Sequence, residues 1–443
     1  MNLDFESHIN NKLKFLTKAK LLIAISGGVD SVVLTHLCHE LKLDITLAHC
    51  NFNLRGKESD QDENFILELA EQLGLEVFTE HFNTEAYAKQ NKLSIQMAAR
   101  ALRYQWFDEL SKALKFDYLL TAHHADDNLE TVLINLTRGT GLNGLTGIPE
   151  INANIVRPLL PFSRESIESY AKLNNYKWRE DSSNSSDKYL RNKLRHHVIP
   201  VLKEGNPELL QSFSNTLEHL KDTANLVDDS IHNFLDRAVA SETENHIKFN
   251  ISEFKKLTNT KAYIFEIFKD YGFTEWNDIL DLLDAQSGKQ VFSNTHRLLK
   301  DREHLILTHW PVSKQNDVAL KIEATDKKVQ TRIGSLFFDE ADAIFGKRTN
   351  VIFVDKETLQ FPLLLRKWEE GDYFYPLGMK GKKKLSKYFK DEKYSLLDKE
   401  NTWILCSDDK IVWIVGKRAD ERFKVTKTTS EILKIELNKT DIL

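Results

Sequence analysis

Cysteine is scarce: three residues in 443, and Cys38, Cys50 and Cys406 share no paired spacing, which excludes a disulfide framework and a cysteine-rich metal site. A reducing cytoplasm is the matching compartment. Also missing is any run approaching the ~20 apolar residues that cross a bilayer. The polar, lysine-bearing stretch Met1 to Lys20 has no apolar segment of a signal peptide, so a cytosolic protein with no membrane partner is expected. There is no internal repeat and no low-complexity tract. Positive charge is lacking overall, with a net charge of -5, but the average conceals two basic blocks. One runs from Lys188 through Arg191, Lys193 and Arg195 to His197, the other from Lys380 through Lys382, Lys383, Lys384, Lys387 and Lys390 to Lys393. For each run taken alone, a solvated lysine face and a polyanion-binding surface are equally good explanations.

What is present is a globular composition, 41% hydrophobic and 29% charged, long enough for two or three domains. The first part alternates short apolar runs (Leu21 to Ile25, Asp44 to His49, Leu75 to Thr79, Tyr118 to Ala122) with amphipathic stretches (Asp30 to Leu41, Asp62 to Leu73, Ser94 to Leu114, Asp127 to Thr137). This is the pattern of βα units in a doubly wound α/β fold with a mainly parallel sheet. A loop-rich stretch at Asp181 to Asp187 precedes Asn206 and Pro207, which read as the N-cap and first position of a long helix. Its stripe Leu209, Phe213, Leu217, Leu220, Val227, Ile231 and Phe234 suits packing. Strand-like runs at Thr402 to Cys406 and Ile411 to Val415, split by the turn residues Ser407 to Asp409, mark a third unit beginning near Val351. The expected domains are 1–205, catalytic; 206–345, helical and in contact with the substrate; and 346–443, a small α+β module.

Directly after the first apolar run stands SGGVDS, residues 26 to 31. A strand, a small-residue turn and a helix N-terminus aim unpartnered backbone N–H groups at an anion, reinforced by the peptide dipoles. Gly27 and Gly28 allow close backbone approach, and Ser26 and Ser31 offer hydroxyls beside Val29. Asp30 fits beside phosphates if it holds a bridging cation, for which magnesium is the oxygen-seeking choice. The Walker pattern is absent, so an ordinary P-loop is excluded. The six residues resemble the PP-loop of ATP pyrophosphatases, a resemblance implying an adenine nucleotide alpha hydrolase-like fold and cleavage of ATP between its α and β phosphates.

Further groups fall at the carboxyl ends of the expected strands, where open α/β sheets bind ligands. HCNFNLRGKESDQDE (49 to 63) offers His49, Asn51 and Arg55. AARALRY (98 to 104) sets Arg100 and Arg103 on one helical face, where two guanidinium forks suit phosphate or developing negative charge; exposed surface charge is the competing explanation. AHHADDNLET (122 to 131) offers His123, His124, Asp126, Asp127 and Glu130. A zinc site is not demanded there, since no cysteine or third histidine accompanies them. Asp127 and Glu130 share a face suited to an ammonium group or magnesium. RGTGLNGLTG (138 to 147) brings Arg138, and RPLL (157 to 160) follows.

Together these motifs resemble the tRNA(Ile)-lysidine synthetase family over nearly the whole chain. DSSN (181 to 184) and RNKLRHHVIP (191 to 200) resemble the segment closing its catalytic domain, and the stretch from Arg366 through GDYFYPLGMKGKKKLSKYF its C-terminal tRNA-binding module. The resemblance implies conversion of the wobble cytidine of isoleucine tRNA with a CAU anticodon into lysidine, with ATP and free L-lysine as co-substrates and Mg2+ as cofactor. It implies no protein partner. Cytidine oxygen 2 would attack the α-phosphate, pyrophosphate would leave, and the lysine ε-amine, whose ordinary pKa near ~10.4 calls for a proton acceptor, would displace AMP. The implied roles are Ser26 to Ser31 for phosphates, Asp30 for magnesium, and Arg100 and Arg103 for charge stabilisation. Asp127 would act in catalysis and, with Glu130, bind lysine. Arg191, Arg195, Arg366, Lys380, Lys382, Lys383, Lys384 and Lys387 would contact tRNA. The family often carries histidine where this chain has Phe52, so no catalytic role transfers to that position.

A PP-loop tRNA thiolase would use paired cysteines that this chain lacks. A small-molecule ATP-dependent amide or amidine synthetase would leave the basic C-terminal module unexplained, and a non-catalytic RNA-binding protein would leave Asp30, Arg100 and Asp127 unexplained. Asp30→Ala is expected to abolish adenylation, measured as pyrophosphate release, while sparing most tRNA affinity; normal turnover would remove Asp30 from its role.

Overall fold

The computed structural model describes residues 1–180, 190–310, 319–344, 346 and 348–439. The expected loop 181–187, the DSSN group and Lys188 therefore lie outside the described residues. The chain divides into two compact units, Met1–Asp228 and Asp229–Leu443.

The first unit runs α1 (Asn2–Lys12), β1 (Lys20–Ala24), α2 (Val29–Glu40), β2 (Asp44–Asn51), α3 (Lys57–Leu73), β3 (Val77–His81), α4 (Thr84–Asn91), α5 (Ile95–Leu114), β4 (Tyr118–Leu120), α6 (Ala125–Arg138), α7 (Leu142–Leu145), β5 (Ile151–Asn152), β6 (Ile155–Val156) and α8 (Arg164–Leu173). Short helices α9 (Leu190–Lys193) and α10 (Ile199–Gly205) follow, and then the long α11 (Leu209–Ala238). Its sheet has the order β3-β2-β1-β4-β6-β5. All pairs are parallel except β5 with β6, the doubly wound arrangement expected. Helices cover both faces, so the central strand reads as an unbroken apolar run, with Leu21, Leu22 and Ile23 each at 0% exposure. Register pairs Ile23 with both Leu47 and Leu120. The residues that follow the three strands thus emerge together on either side of β1, where the winding reverses and ligands bind.

Two helices start earlier than their apolar periodicity indicates. Helix α6 begins at Ala125 because His124 caps it: the Asp127 N–H donates to His124 Nδ1 (3.4 Å) and the His124 N–H donates to Asp127 Oδ2 (3.2 Å). Helix α3 begins at Lys57, after Gly56 with φ of 55°. The long helix starts later, at Leu209, because Asn206 closes a turn instead, its Oδ1 accepting from the Glu208 N–H at 3.0 Å.

In the second unit the helical middle carries α12 (Ile251–Lys255), α13 (Thr260–Phe268) and α14 (Trp276–Leu282). They pack with Phe234 of α11 on a five-stranded antiparallel sheet that periodicity did not indicate. It consists of β7 (Val239–Thr243), β8 (His246–Asn250), β9 (Gln290–Phe292), β10 (His296–Asp301) and β11 (His304–His309). Next come β12 (Leu320–Ile322), β13 (Lys328–Thr331), β14 (Gly334–Ala341), β15 (Val351–Asp355), β16 (Leu363–Lys367), β17 (Tyr373–Phe374), β18 (Lys383–Lys384), α15 (Leu385–Asp391), α16 (Leu396–Glu400), β19 (Trp403–Ser407), β20 (Lys410–Ile414) and β21 (Ile432–Asn438). The expected hairpin at 402–415 is β19–β20. Two sheets, β12-β16-β19-β20 and β13-β14-β21-β15, share one core around Leu336, Ile352, Leu363 and Trp413. Strands β12 and β14, which precede the boundary expected at 346, pair with strands that follow it.

Within this unit Arg297 on β10, 3% exposed, donates to Thr308 Oγ1 (2.9 Å), Gln290 Oε1 (3.1 Å) and Glu400 Oε1 (2.9 Å) at the end of α16. The pair ties the middle sheet to the C-terminal module. Glu400→Ala strands a buried guanidinium and is expected to cost about 2 kcal/mol, read as a lower urea midpoint; an unchanged midpoint contradicts the pairing.

Candidate active site

After Ala24 the chain leaves β1 through Ile25, Ser26 and Gly27. The φ of 83° at Gly27 is open to glycine at no steric cost. Gly28, extended, is the N-cap of α2. The two serines brace the loop: Ser31 Oγ donates to the Gly28 carbonyl (3.0 Å), the Ser26 N–H donates to Ser31 Oγ (3.2 Å), and the hydroxyls lie 3.3 Å apart. The Arg179 N–H donates to the Gly27 carbonyl (2.9 Å). That carbonyl is thereby engaged by the chain that follows α8. The first-turn amides of α2, with Val29 and Asp30, border a cleft of about 1110 Å³.

Asp30 is the cleft's most constrained group. Burial pushes its carboxyl above the usual carboxylate range, against the pull of His124 and Arg164. His124 Nε2 lies 3.7 Å from Oδ1, and Arg164 Nη1 lies 3.7 Å from Oδ2. Asp30 Oδ1 is shut from solvent and makes no hydrogen bond. An oxygen in that state fits a hard cation that also takes phosphate oxygens. Among the described residues no three His, Cys, Asp or Glu side chains converge as a self-sufficient metal cluster. His124 itself is 1% exposed. Since its Nδ1 accepts from Asp127, its proton lies on Nε2, which is 3.3 Å from Asp127 Oδ2 and faces Asp30.

The remaining candidates separate into those on the cleft wall and those away from it. His49, Asn51, Arg55, Arg103, His123, His124, Asp127, Arg191 and Arg195 line the cleft. His49 Nδ1–H donates to the Ile25 carbonyl (3.0 Å), and burial pushes its imidazole below the ordinary value. His123, bonded to Thr121 Oγ1 at 3.0 Å, is pushed down by burial to about 4 and is neutral at pH 7. Asn51 shapes the loop after β2 by donating to Glu63 (2.8 Å) and accepting from the Asn53 N–H (3.0 Å). Asp62 accepts from Arg55 (3.0 Å) and Arg179 (2.9 Å). The Arg103 guanidinium lies 5.2 Å from the centre of the Phe52 ring, and Phe52 forms an aromatic part of the cleft wall.

Four candidates lie in surroundings that differ from those expected. Arg100, expected beside Arg103, is exposed and does not line the cleft; its guanidinium lies 4.9 Å over the Tyr104 ring. Arg138, in the last turn of α6, is exposed and away from the cleft. Glu130, expected to grip lysine, is 0% exposed. Its two oxygens accept from Arg195 Nε (2.6 Å) and Nη2 (3.0 Å), and Arg191 Nε lies 3.4 Å from it. Burial pushes Glu130 up and the Arg195 fork pulls it back. Arg195, expected on the tRNA, instead turns inward to join Glu130 with Asp127, 3.2 Å away.

In the second unit Arg366, also expected on the tRNA, is held bidentately by Asp372 (2.9 and 2.7 Å). Lys380, Lys382, Lys384 and Lys387 are exposed, whereas Lys383 is half-buried and pairs with Asp391 at 2.7 Å. Sequence reasoning missed Arg164, Arg179 and Asp62 on the cleft wall. Ser163 caps α8 by accepting from the Ser166 N–H at 3.1 Å, which sets Arg164 at the helix start. Cys50 also lines the cleft, and burial pushes its thiol up to about 12, which keeps it from acting as a thiolate at neutral pH.

Comparison with known proteins agrees along the chain. A family model described as a PP-loop domain matches residues 1–202, one described as a TilS substrate binding domain matches 242–311, and one described as a TilS substrate C-terminal domain matches 363–437. The tRNA(Ile)-lysidine synthase of Parabacteroides distasonis is 41% identical over 419 residues, covering 93% of this chain and 94% of that protein. The enzyme of the same name from Bacteroides thetaiotaomicron is 36% identical over 428 residues, covering 96% and 97%.

The Glu130–Arg195 pair generates a pH test. A buried carboxyl without its counter-charge binds a proton more tightly folded than unfolded, so its contribution to stability is present at low pH and lost as pH rises through its raised value. Arg195→Met is expected to lose stability from about pH 5 to 8 more steeply than the parent chain, and Glu130→Leu in the same chain to restore most of it. Chemical denaturation across pH checks this; parallel curves for Arg195→Met and the parent contradict it.

Proposed function

The chain belongs to the tRNA(Ile)-lysidine synthase family, and from that membership we propose that it joins free L-lysine to carbon 2 of a wobble cytidine through an adenylated intermediate. It is an ATP-dependent ligase acting on tRNA; the finer proposal concerns how the cleft performs the reaction and on which anticodon, CAU of isoleucine tRNA.

A cytosine carbonyl is a poor electrophile with no leaving group. Adenylation supplies one. In the proposed first step, cytidine oxygen 2 attacks the α-phosphorus of ATP and the bond to the β-phosphate oxygen breaks, releasing pyrophosphate. The amides at the start of α2 and the braced turn 26–31 hold the phosphates, and Arg103 faces the negative charge that develops. Asp30, with its unbonded buried oxygen, would hold magnesium, which when bound neutralises phosphate charge. In the second step, the lysine ε-amine attacks carbon 2, its proton passes to a cleft carboxylate, and the carbon–oxygen bond breaks so that AMP leaves with the former carbonyl oxygen. Asp127 is the carboxylate assigned to the amine. Glu130 is a positioning residue, fixing Arg195 and through it Asp127. The wobble base lies in a single-stranded loop, so turning it into the cleft costs less than opening a duplex. Lys380, Lys382, Lys384 and Lys387 are assigned to the tRNA backbone, a salt-sensitive contact that reads little sequence.

The observation carrying this reading is one cleft that holds the PP-loop, an unsatisfied carboxylate oxygen and Asp127, in a chain with family-length similarity throughout. Incubation with ATP, magnesium, labelled lysine and isoleucine tRNA transcript is expected to release pyrophosphate and place label in the RNA without a sulfur donor. Pyrophosphate release only with another amine or a sulfur donor would replace the reading by a synthetase or a thiolase.

A further inference from the structure

The C-terminal module carries an aromatic surface that a backbone-holding role leaves unused. Strands β17 and β18 form a two-stranded ribbon in which Tyr373 pairs with Lys384 and Phe374 with Lys383. Side chains alternate across a strand, and here Phe374 is fully buried while Tyr373 is 45% exposed. Two cations flank the exposed ring: Lys382 Nζ at 5.3 Å and the Arg422 guanidinium at 6.0 Å from its centre. Tyr375 stands 6.3 Å away, inclined at 72°, with the same guanidinium 4.7 Å over it.

Arg422 is not a loose surface side chain. Its Nε and Nη2 donate to the two oxygens of Asp420 (3.0 and 2.8 Å), and Asp420 is 1% exposed. Asp420 also accepts from the Tyr375 N–H (2.9 Å) and the Arg422 N–H (2.8 Å). One buried carboxylate therefore fixes both a cation and the backbone of the neighbouring tyrosine. Leu377 and Met379, 41% and 51% exposed, continue the apolar surface toward Lys380 and Lys382. A ring left open in fixed surroundings, rimmed by lysines, has the two properties a nucleotide needs: a π-face for the base and cations for its phosphate. A duplex offers only phosphates to such a surface, because its bases are stacked on each other.

We propose that Tyr373, framed by Lys382 and Arg422, is a stacking platform for an unpaired nucleobase of the RNA substrate, distinct from the base modified in the catalytic cleft. The proposal rests on the reading of the chain as a tRNA-modifying enzyme. Stacking and charge separate experimentally, because losing a stack lowers affinity without changing the number of phosphates neutralised, whereas losing a lysine lowers the salt dependence.

The test is equilibrium binding of the full chain to isoleucine tRNA transcript, to a short single-stranded oligoribonucleotide and to a blunt RNA duplex, each over a salt series. Tyr373→Ala is expected to weaken tRNA and single-strand binding about tenfold with an unchanged slope of log affinity against log salt, and to leave duplex binding intact. Tyr373→Phe keeps the ring and is expected to bind like the parent. Lys382→Ala is expected to reduce the slope by about one phosphate contact. Parent-like binding by Tyr373→Ala overturns the proposal, as does an equal loss for single strand and duplex. Selective single-strand loss in a chain that makes no lysidine upholds the platform and sinks the catalytic reading alone; lysidine formation with RNA affinity indifferent to Tyr373 does the reverse.

Discussion

Asp30 sits where electrostatics favours it and desolvation opposes it. The first turn of α2 points its unpaired amides and the positive end of its dipole at the cleft, and a carboxylate there gains from both. Yet its oxygen Oδ1 is closed to solvent without a hydrogen-bond partner, and burial raises its proton affinity. The nearest imidazole and guanidinium nitrogens, on His124 and Arg164, stand 3.7 Å away, beyond hydrogen-bond reach. In the proposed function this oxygen is the one assigned to a cation that also takes phosphate oxygens. His124, pinned as the cap of α6, and Arg164, at the start of α8, set its borders.

A second constraint runs from the buried end of α6 to the segment after the catalytic sheet. At zero exposure Glu130 is pushed up by burial and pulled back chiefly by the full fork of Arg195, with Arg191 beside it. That same arginine reaches Asp127. The last turns of the catalytic unit are thereby tied to the carboxylate assigned to the amine, and the orientation of Asp127 depends on residues 65 or more positions later in the chain. Such a link explains why a basic run near 191–195 serves the interior of the site, whereas the run at 380–387 stays largely in solvent.

What could be read from the sequence was local chemistry. SGGVDS was legible because a strand, two glycines and a helix start lie within a dozen residues and mean one thing together. The parallel sheet was legible because β1 and β2 are apolar on both faces. Signals that depend on distant partners were not. Arg366 and Arg195 looked like free cations until Asp372 and Glu130 were placed beside them. Arg100 and Arg103 share a helical spacing, but α5 turns only the second into the cleft. The middle antiparallel sheet escaped because its strands are short and mix charge with apolar residues, as in His246–Asn250, a pattern equally open to a helix turn. His124 was readable as chemistry but not as a helix cap, a role rarely filled by histidine.

The chemistry proposed for the cleft turns on which atom attacks the α-phosphorus. Isoleucine tRNA carrying oxygen-18 at carbon 2 of its wobble cytidine would be turned over with ATP and lysine, and the AMP and pyrophosphate weighed by mass spectrometry. Adenylation of the base predicts one heavy oxygen in AMP and none in pyrophosphate. AMP of ordinary mass beside fully formed lysidine would show that the cleft activates something other than the carbonyl oxygen.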